Sequence, residues 1–98
     1  PYGKLASVIL SSRDAAQLQD FALRLARAVP DALARAGGAV FGPTPAPLAL
    51  VRGRHRMRFL VKAKRDFDVQ NYLRKWLRGH KPPAGVRLSV DIDPYSFL

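Results

Sequence analysis

The sequence predicts an α+β fold in which one antiparallel sheet carries two helices on a single face. Three observations predict it. Two segments place apolar residues every three or four positions, four others are alternating or continuously apolar, and they follow one another as strand, helix, strand, strand, helix, strand.

Leu5-Ala6-Ser7-Val8-Ile9-Leu10, ending in Ser11-Ser12, has the length and composition of a central strand buried on both faces. From Asp14 the period changes. Leu18, Phe21, Ala22, Leu25 and Val29 form the stripe of an amphipathic helix, capped by Ser12 or Asp14 and ended or kinked by Pro30. Asp31 to Arg35 adds a short helical turn that Gly37-Gly38 stops. Ala39-Val40-Phe41 reads as a short second strand. Gly42-Pro43-Thr44-Pro45-Ala46-Pro47 cannot donate a regular ladder and is expected to be extended and stiff, with Leu48 to Val51 resuming the strand.

Arg52-Gly53-Arg54 supplies a glycine where a hairpin turn needs one, and the alternation that follows is clean. Met57, Phe59, Val61 and Ala63 point one way; Arg56, Arg58, Leu60 and Lys62 point the other. Asp66 or Asp68 caps a second helix with the stripe Val69, Tyr72, Leu73, Trp76 and Leu77, which Gly79 ends. Val86, Leu88, Val90 and Ile92 are the inward positions of a last strand that Pro94 closes, and Tyr95-Ser96-Phe97-Leu98 is a short apolar tail. Two such split βαβ halves make a ferredoxin-like plait with one sheet face left open.

Residues 1–98 fit one domain, since a chain of this size buries roughly 60 to 70 % of the surface its unfolded form exposes. No stretch reaches the apolar length of a membrane span, so no membrane role is expected. The start at Pro1-Tyr2-Gly3-Lys4, without Met or a signal-peptide pattern, leads to the expectation of a fragment of a longer protein. Cysteine is absent, which removes disulfides, thiolate nucleophiles and cysteine-ligated metals. Seventeen Lys and Arg oppose seven acids, all Asp, for a net charge of +10. Residues 1–51 carry +2 and residues 52–98 carry +8, so a polyanion is expected to dock on the second half.

The basic series Arg52, Arg54, Arg56, Arg58, Lys62, Lys64 and Arg65 is the leading candidate site. Alternation sends Arg54, Arg56, Arg58 and Lys62 to one side, where like charges repel unless an anion lies across them, and phosphate suits several guanidinium forks. A solvated edge that discourages aggregation is the bland alternative. Arg74, Lys75 and Arg78 sit where cations favour a helix C-terminus; a direct role in holding the polyanion is their second reading, with Lys81 extending the patch. Asp91 and Asp93 share a side of the last strand without an obvious third metal ligand, and ion pairs with cross-strand arginines are expected. His55 and His80 have no partners for a triad. Phe67, Tyr72 and Trp76 could stack bases, but helical periodicity puts Tyr72 and Trp76 on the buried stripe, so core packing is the favoured reading. GxxxxGK[ST], GxGxxG and HExxH are all missing, so no active site is expected in this domain.

Phe41-Gly42-Pro43-Thr44-Pro45-Ala46-Pro47-Leu48, Arg52-Gly53-Arg54-His55-Arg56 and Val90-Asp91-Ile92-Asp93-Pro94, in this order and spacing, resemble the C-terminal domain of primosomal protein N′, the PriA family of replication restart helicases. The resemblance spans nearly the whole chain and brings a likeness to a small-subunit ribosomal protein fold. It implies a cytoplasmic, bacterial helicase whose ATP and zinc sites lie in other domains, with no cofactor in this one. It further implies binding to forked or single-stranded DNA, to the acidic tail of single-stranded DNA-binding protein (SSB), to the parent's other domains and to other primosome proteins. The family's tail pocket uses an Arg and a Gln about one helical turn apart at the start of the second helix. Gln70 matches the Gln, while Arg65, nearest to the Arg, is displaced by one position. A pure protein-interaction domain that uses the basic surface for an acidic peptide, without DNA, is the alternative.

Overall fold

The computed structural model describes residues 3–93. The elements are β1 (Lys4–Ser12), α1 (Ala15–Arg27), α2 (Ala32–Arg35), β2 (Ala39–Val51), β3 (Arg54–Ala63), α3 (Val69–Leu77) and β4 (Val86–Asp93). The expectations for Pro1-Tyr2, Pro94 and the apolar tail lie outside the described residues. The four strands form one antiparallel sheet in the order β2-β3-β1-β4, with the helices packed on it. This is the plait expected from the sequence.

Local chemistry explains where each element starts and stops. Asp14, not Ser12, caps α1, its carboxylate accepting from Gln17 N–H at 3.1 Å. Ser12 holds the preceding turn instead: it is buried, and its Oγ accepts from Asp14 N–H at 3.1 Å. Asp68 rather than Asp66 caps α3, accepting from Asn71 N–H at 3.0 Å. The β2–β3 hairpin turns on Arg52 and Gly53 with φ of 51° and 77°, the paired positive values of a type I′ turn, whose twist matches that of the strands.

Two expectations need correction. The segment 39–51 is one strand rather than two pieces joined by a connector, and its prolines are accommodated by register shifts between Phe41 and Thr44 and between Pro45 and Leu50. Gly42 makes the first shift possible. Its φ is +114°, and a Cβ there would lie 2.6 Å from the Arg58 carbonyl oxygen. Second, β1 is central but not buried on both faces: Ala6, Val8, Leu10 and Ser12 are buried, whereas Leu5, Ser7, Ile9 and Ser11 are half-exposed.

The core lies between the sheet and the helices. Val8 and Leu10 of β1, with Phe59 and Val61 of β3, meet Leu18, Phe21 and Leu25 of α1 and Tyr72, Leu73 and Trp76 of α3. Trp76 packs edge-to-face on Phe59, centroids 5.1 Å apart, a geometry that contributes about 0.5–1.5 kcal/mol beyond burial. Its indole N–H donates to the Leu25 carbonyl of α1 at 3.0 Å, and the Tyr72 hydroxyl donates to the Pro30 carbonyl at 2.7 Å. Both polar tips are therefore satisfied inside the core, as the helical periodicity of these rings led us to expect.

Burial, and secondarily the Asp31 carboxylate, pushes the Tyr72 hydroxyl up to about 12. Because its folded value exceeds the ordinary 10.0, the unfolded chain loses this proton first. Stability held by neutral Tyr72 is complete below pH 10 and drains away as pH rises towards 12. Denaturant midpoints measured across this window should fall for the wild type and fall less steeply for Tyr72→Phe. At neutral pH that variant should lose about 1 kcal/mol through the stranded Pro30 carbonyl; identical pH profiles would contradict the assignment. Gly42→Ala should cost about 1–3 kcal/mol in the same measurement, and an unchanged midpoint would show that β2 does not need a left-handed residue there.

Candidate nucleic-acid interface

The side chains on β3 separate by parity. Phe59, Val61 and Ala63 are buried beneath the helices, while Arg54, Arg56, Arg58, Leu60 and Lys62 stand on the opposite, open face. Register places their neighbours. Arg58 lies between Thr44 of β2 and Ile9 of β1; Ser11 lies between Arg56 and Arg87; Leu60 lies between Phe41 and Ser7.

Each arginine is held differently. Arg54 donates to the Ser11 carbonyl at 3.1 Å and to the Gly85 carbonyl at 3.4 Å, bridging the ends of β1 and β4. Burial, then repulsion from Arg87 and Arg13, holds its guanidinium below the ordinary arginine value. Arg56 donates to the Pro47 and Leu48 carbonyls at 3.1 and 3.5 Å, fastening the irregular arm of β2, where Leu48 has a φ of 55°. The Nε of Arg58 is buried and without a hydrogen-bond partner among the described residues. Carbonyl acceptors orient a guanidinium but leave its charge intact. Among the described residues, none of Arg54, Arg56 and Arg58 is ion-paired to a carboxylate; Arg24 with Asp20, on α1, does form such a pair, at 3.3 Å.

Sequence reasoning missed Arg13. It follows β1, repels Arg54, and its guanidinium lies 3.5 Å from where a Cβ on Gly53 would stand, beside the hairpin turn. The antiparallel pairing of Ser12 with His55 brings it there, so the register of β1 on β3 was the signal. Arg87 completes the corner.

The other predicted residues do not share this face. Arg52 is exposed in the hairpin turn; Lys64, past the end of β3, extends towards Gly37; Arg65 lies against Gly3. Arg74, Lys75 and Arg78 are exposed on α3, in the helical layer across the sheet. There Gln70, Arg74 and Arg78 line one wall of an open groove of about 640 Å³ whose apolar lining is Leu73, Leu77, Val90 and Ile92. Arg65 is not part of that lining, so the groove does not bring the two predicted tail-binding residues together.

Asp91 does not make the expected cross-strand ion pair among the described residues. Ser7 stands opposite it and Leu5 opposite Asp93, because the arginines occupy the other end of the face. His55 lines a small cleft with Ala15, Leu18 and Met57, and His80 N–H donates to the Leu77 carbonyl at 3.2 Å. Among the described residues no cluster of three metal-ligating side chains occurs, and no helix is long and apolar enough to cross a membrane.

Comparison with known proteins agrees with the motifs. The family model described as the primosomal protein N C-terminal domain matches residues 1–95. The replication restart protein PriA of Rickettsia conorii is 36% identical over 97 residues, covering 99% of this chain and 14% of its own length. The PriA protein of Treponema pallidum is 32% identical over 98 residues, and that of Bacillus subtilis 28% over 101 residues. The chain thus spans about one seventh of these relatives. By these sequence matches, this chain belongs to the PriA C-terminal domain family.

Proposed function

We propose that this chain is a nucleic-acid-binding accessory module of a replication restart helicase, gripping the phosphate backbone with the open face of its sheet. One observation carries the reading: Arg54, Arg56 and Arg58 share an exposed face with Arg13 and Arg87 nearby, and among the described residues the three have no carboxylate partner. Phosphates supply the missing counter-charge and use guanidinium donors that backbone carbonyls leave over. Such contacts fix position without reading bases, so affinity should follow the shape of the nucleic acid rather than its sequence.

Neutralising four to six phosphates on duplex arms gives a plot of log K against log salt with a slope of about −3.6 to −5.4. Titration of the chain with forked DNA at several salt concentrations measures it, and a slope near zero removes the electrostatic mechanism. Combined replacement of Arg54, Arg56 and Arg58 by Ala should weaken all sequences alike and flatten the slope. A loss confined to one sequence would contradict backbone recognition.

A second reading is favoured by the α3–β4 groove, whose cationic wall and apolar lining suit an acidic peptide with apolar side chains, such as the SSB tail. On this reading Gln70, Arg74 and Arg78 serve the peptide rather than DNA. Because groove and open face lie in different layers, a tail peptide and forked DNA should bind together. Replacing Arg74 and Arg78 by Ala should weaken the peptide alone. Full competition between the two ligands, or peptide binding without any DNA binding, would return the basic sheet face to the peptide.

A further inference from the structure

We propose that the open sheet face also holds an unpaired nucleobase, stacked on Phe41, so that it favours single-stranded segments over fully paired duplex; this rests on the nucleic-acid reading above. Among the described residues Phe41 is the exposed aromatic ring: it is 48% exposed, whereas Phe21, Phe59, Tyr72 and Trp76 are buried and Phe67 is partly buried. Its position is set by the sheet. Phe41 pairs with Leu60, an open-face residue of β3, so its ring belongs to the layer that carries the arginines and cannot reach the core.

The surroundings of the ring suit a stacked base. Leu60 adds an apolar neighbour beside the phenyl group, and the polar Ser7 and the Asp91 carboxylate continue the same cross-strand row beyond it. The Lys62 ammonium lies 5.4 Å from the ring centroid. Lys62 and Arg58 flank Leu60 two residues to either side, roughly 7 Å along the strand. A base that covers this face of Phe41 displaces the Lys62 ammonium from above the ring, with Lys62 and Arg58 then standing on either side of it. Stacking needs a π-face rather than a particular base, so the site adds preference for unpaired strands without adding sequence preference.

The test measures binding of the chain to a labelled oligodeoxythymidine and to an equally long oligomer of abasic sites, which keeps every phosphate and lacks every base. The wild type should prefer the base-bearing strand roughly tenfold. Phe41→Ala should lose that preference while keeping its affinity for the abasic strand and its salt slope. Phe41→Trp should keep the preference and Phe41→Leu should not, which separates stacking from apolar contact; matching thermal melts show that all variants fold. Equal affinity of the wild type for both strands, an equal loss on both in Phe41→Ala, or full activity of Phe41→Leu would overturn the proposal. A steep salt slope with equal affinities leaves the backbone reading standing, whereas a wild type that binds neither strand nor fork removes both.

Discussion

The hydrogen bond from the Trp76 indole to the Leu25 carbonyl joins the two long helices at the centre of the core, and the rest of the arrangement depends on it. Leu25 is the residue whose carbonyl also accepts from Ala28 N–H at the end of α1, so the helix terminus is closed jointly by its own backbone and by α3. The Tyr72 bond to Pro30 adds a second tie across the same gap. With both helices locked over one side of β1 and β3, the apolar parity of each strand has a single destination. The opposite parity is left to solvent, and it is there that the cations stand.

That outer face is polarised along the strands. Arg54, Arg56 and Arg58, with Arg87 and Arg13, gather towards the hairpin turn, while Asp91 and Asp93 lie at the far end of β4. Ile9 lies in the row of Arg58, whereas Leu60 and Leu5, also half-exposed and apolar, lie in the rows that Asp91 and Asp93 end. Phe41 lies at the β2 edge of the face, beside Lys62 and at the opposite end of the row from Asp91. The hairpin end of the face is therefore its most positive part, and on the proposed reading it is the end that a polyanion approaches.

Most of this was legible because period-two and period-3.6 patterns are local properties. Met57 to Ala63 and Val69 to Leu77 announced their faces, and the structure buries Phe59, Val61, Tyr72 and Trp76 as those patterns require. What escaped depends on chain segments meeting. Arg13 looks like a loop residue until β1 is laid against β3. Phe41 reads only as part of a short strand, with no face assigned to it, until the pairing with Leu60 places it in the outer layer. The α3–β4 groove exists because β4 is an edge strand whose inward Val90 remains 41% exposed; alternation alone assigns Val90 to the core. The outer half of β1 escaped for the opposite reason, since an unbroken apolar run does not reveal that one of its faces stays half-open.

Crowding arginines at one corner has a cost that the fold must carry: burial first, and then repulsion from Arg87 and Arg13, holds the Arg54 guanidinium below its ordinary value. Carbonyls of Ser11 and Gly85 hold Arg54 in place but supply only partial negative charge. On the proposed nucleic-acid reading, a bound anion relieves this repulsion. A Lys at position 54 would keep the charge but lose the fork that spans two carbonyls. Backbone carbonyls thus hold Arg54 and Arg56 in place with no carboxylate partner among the described residues, and on the proposed reading it is this preorganisation, more than the count of cations, that favours phosphate.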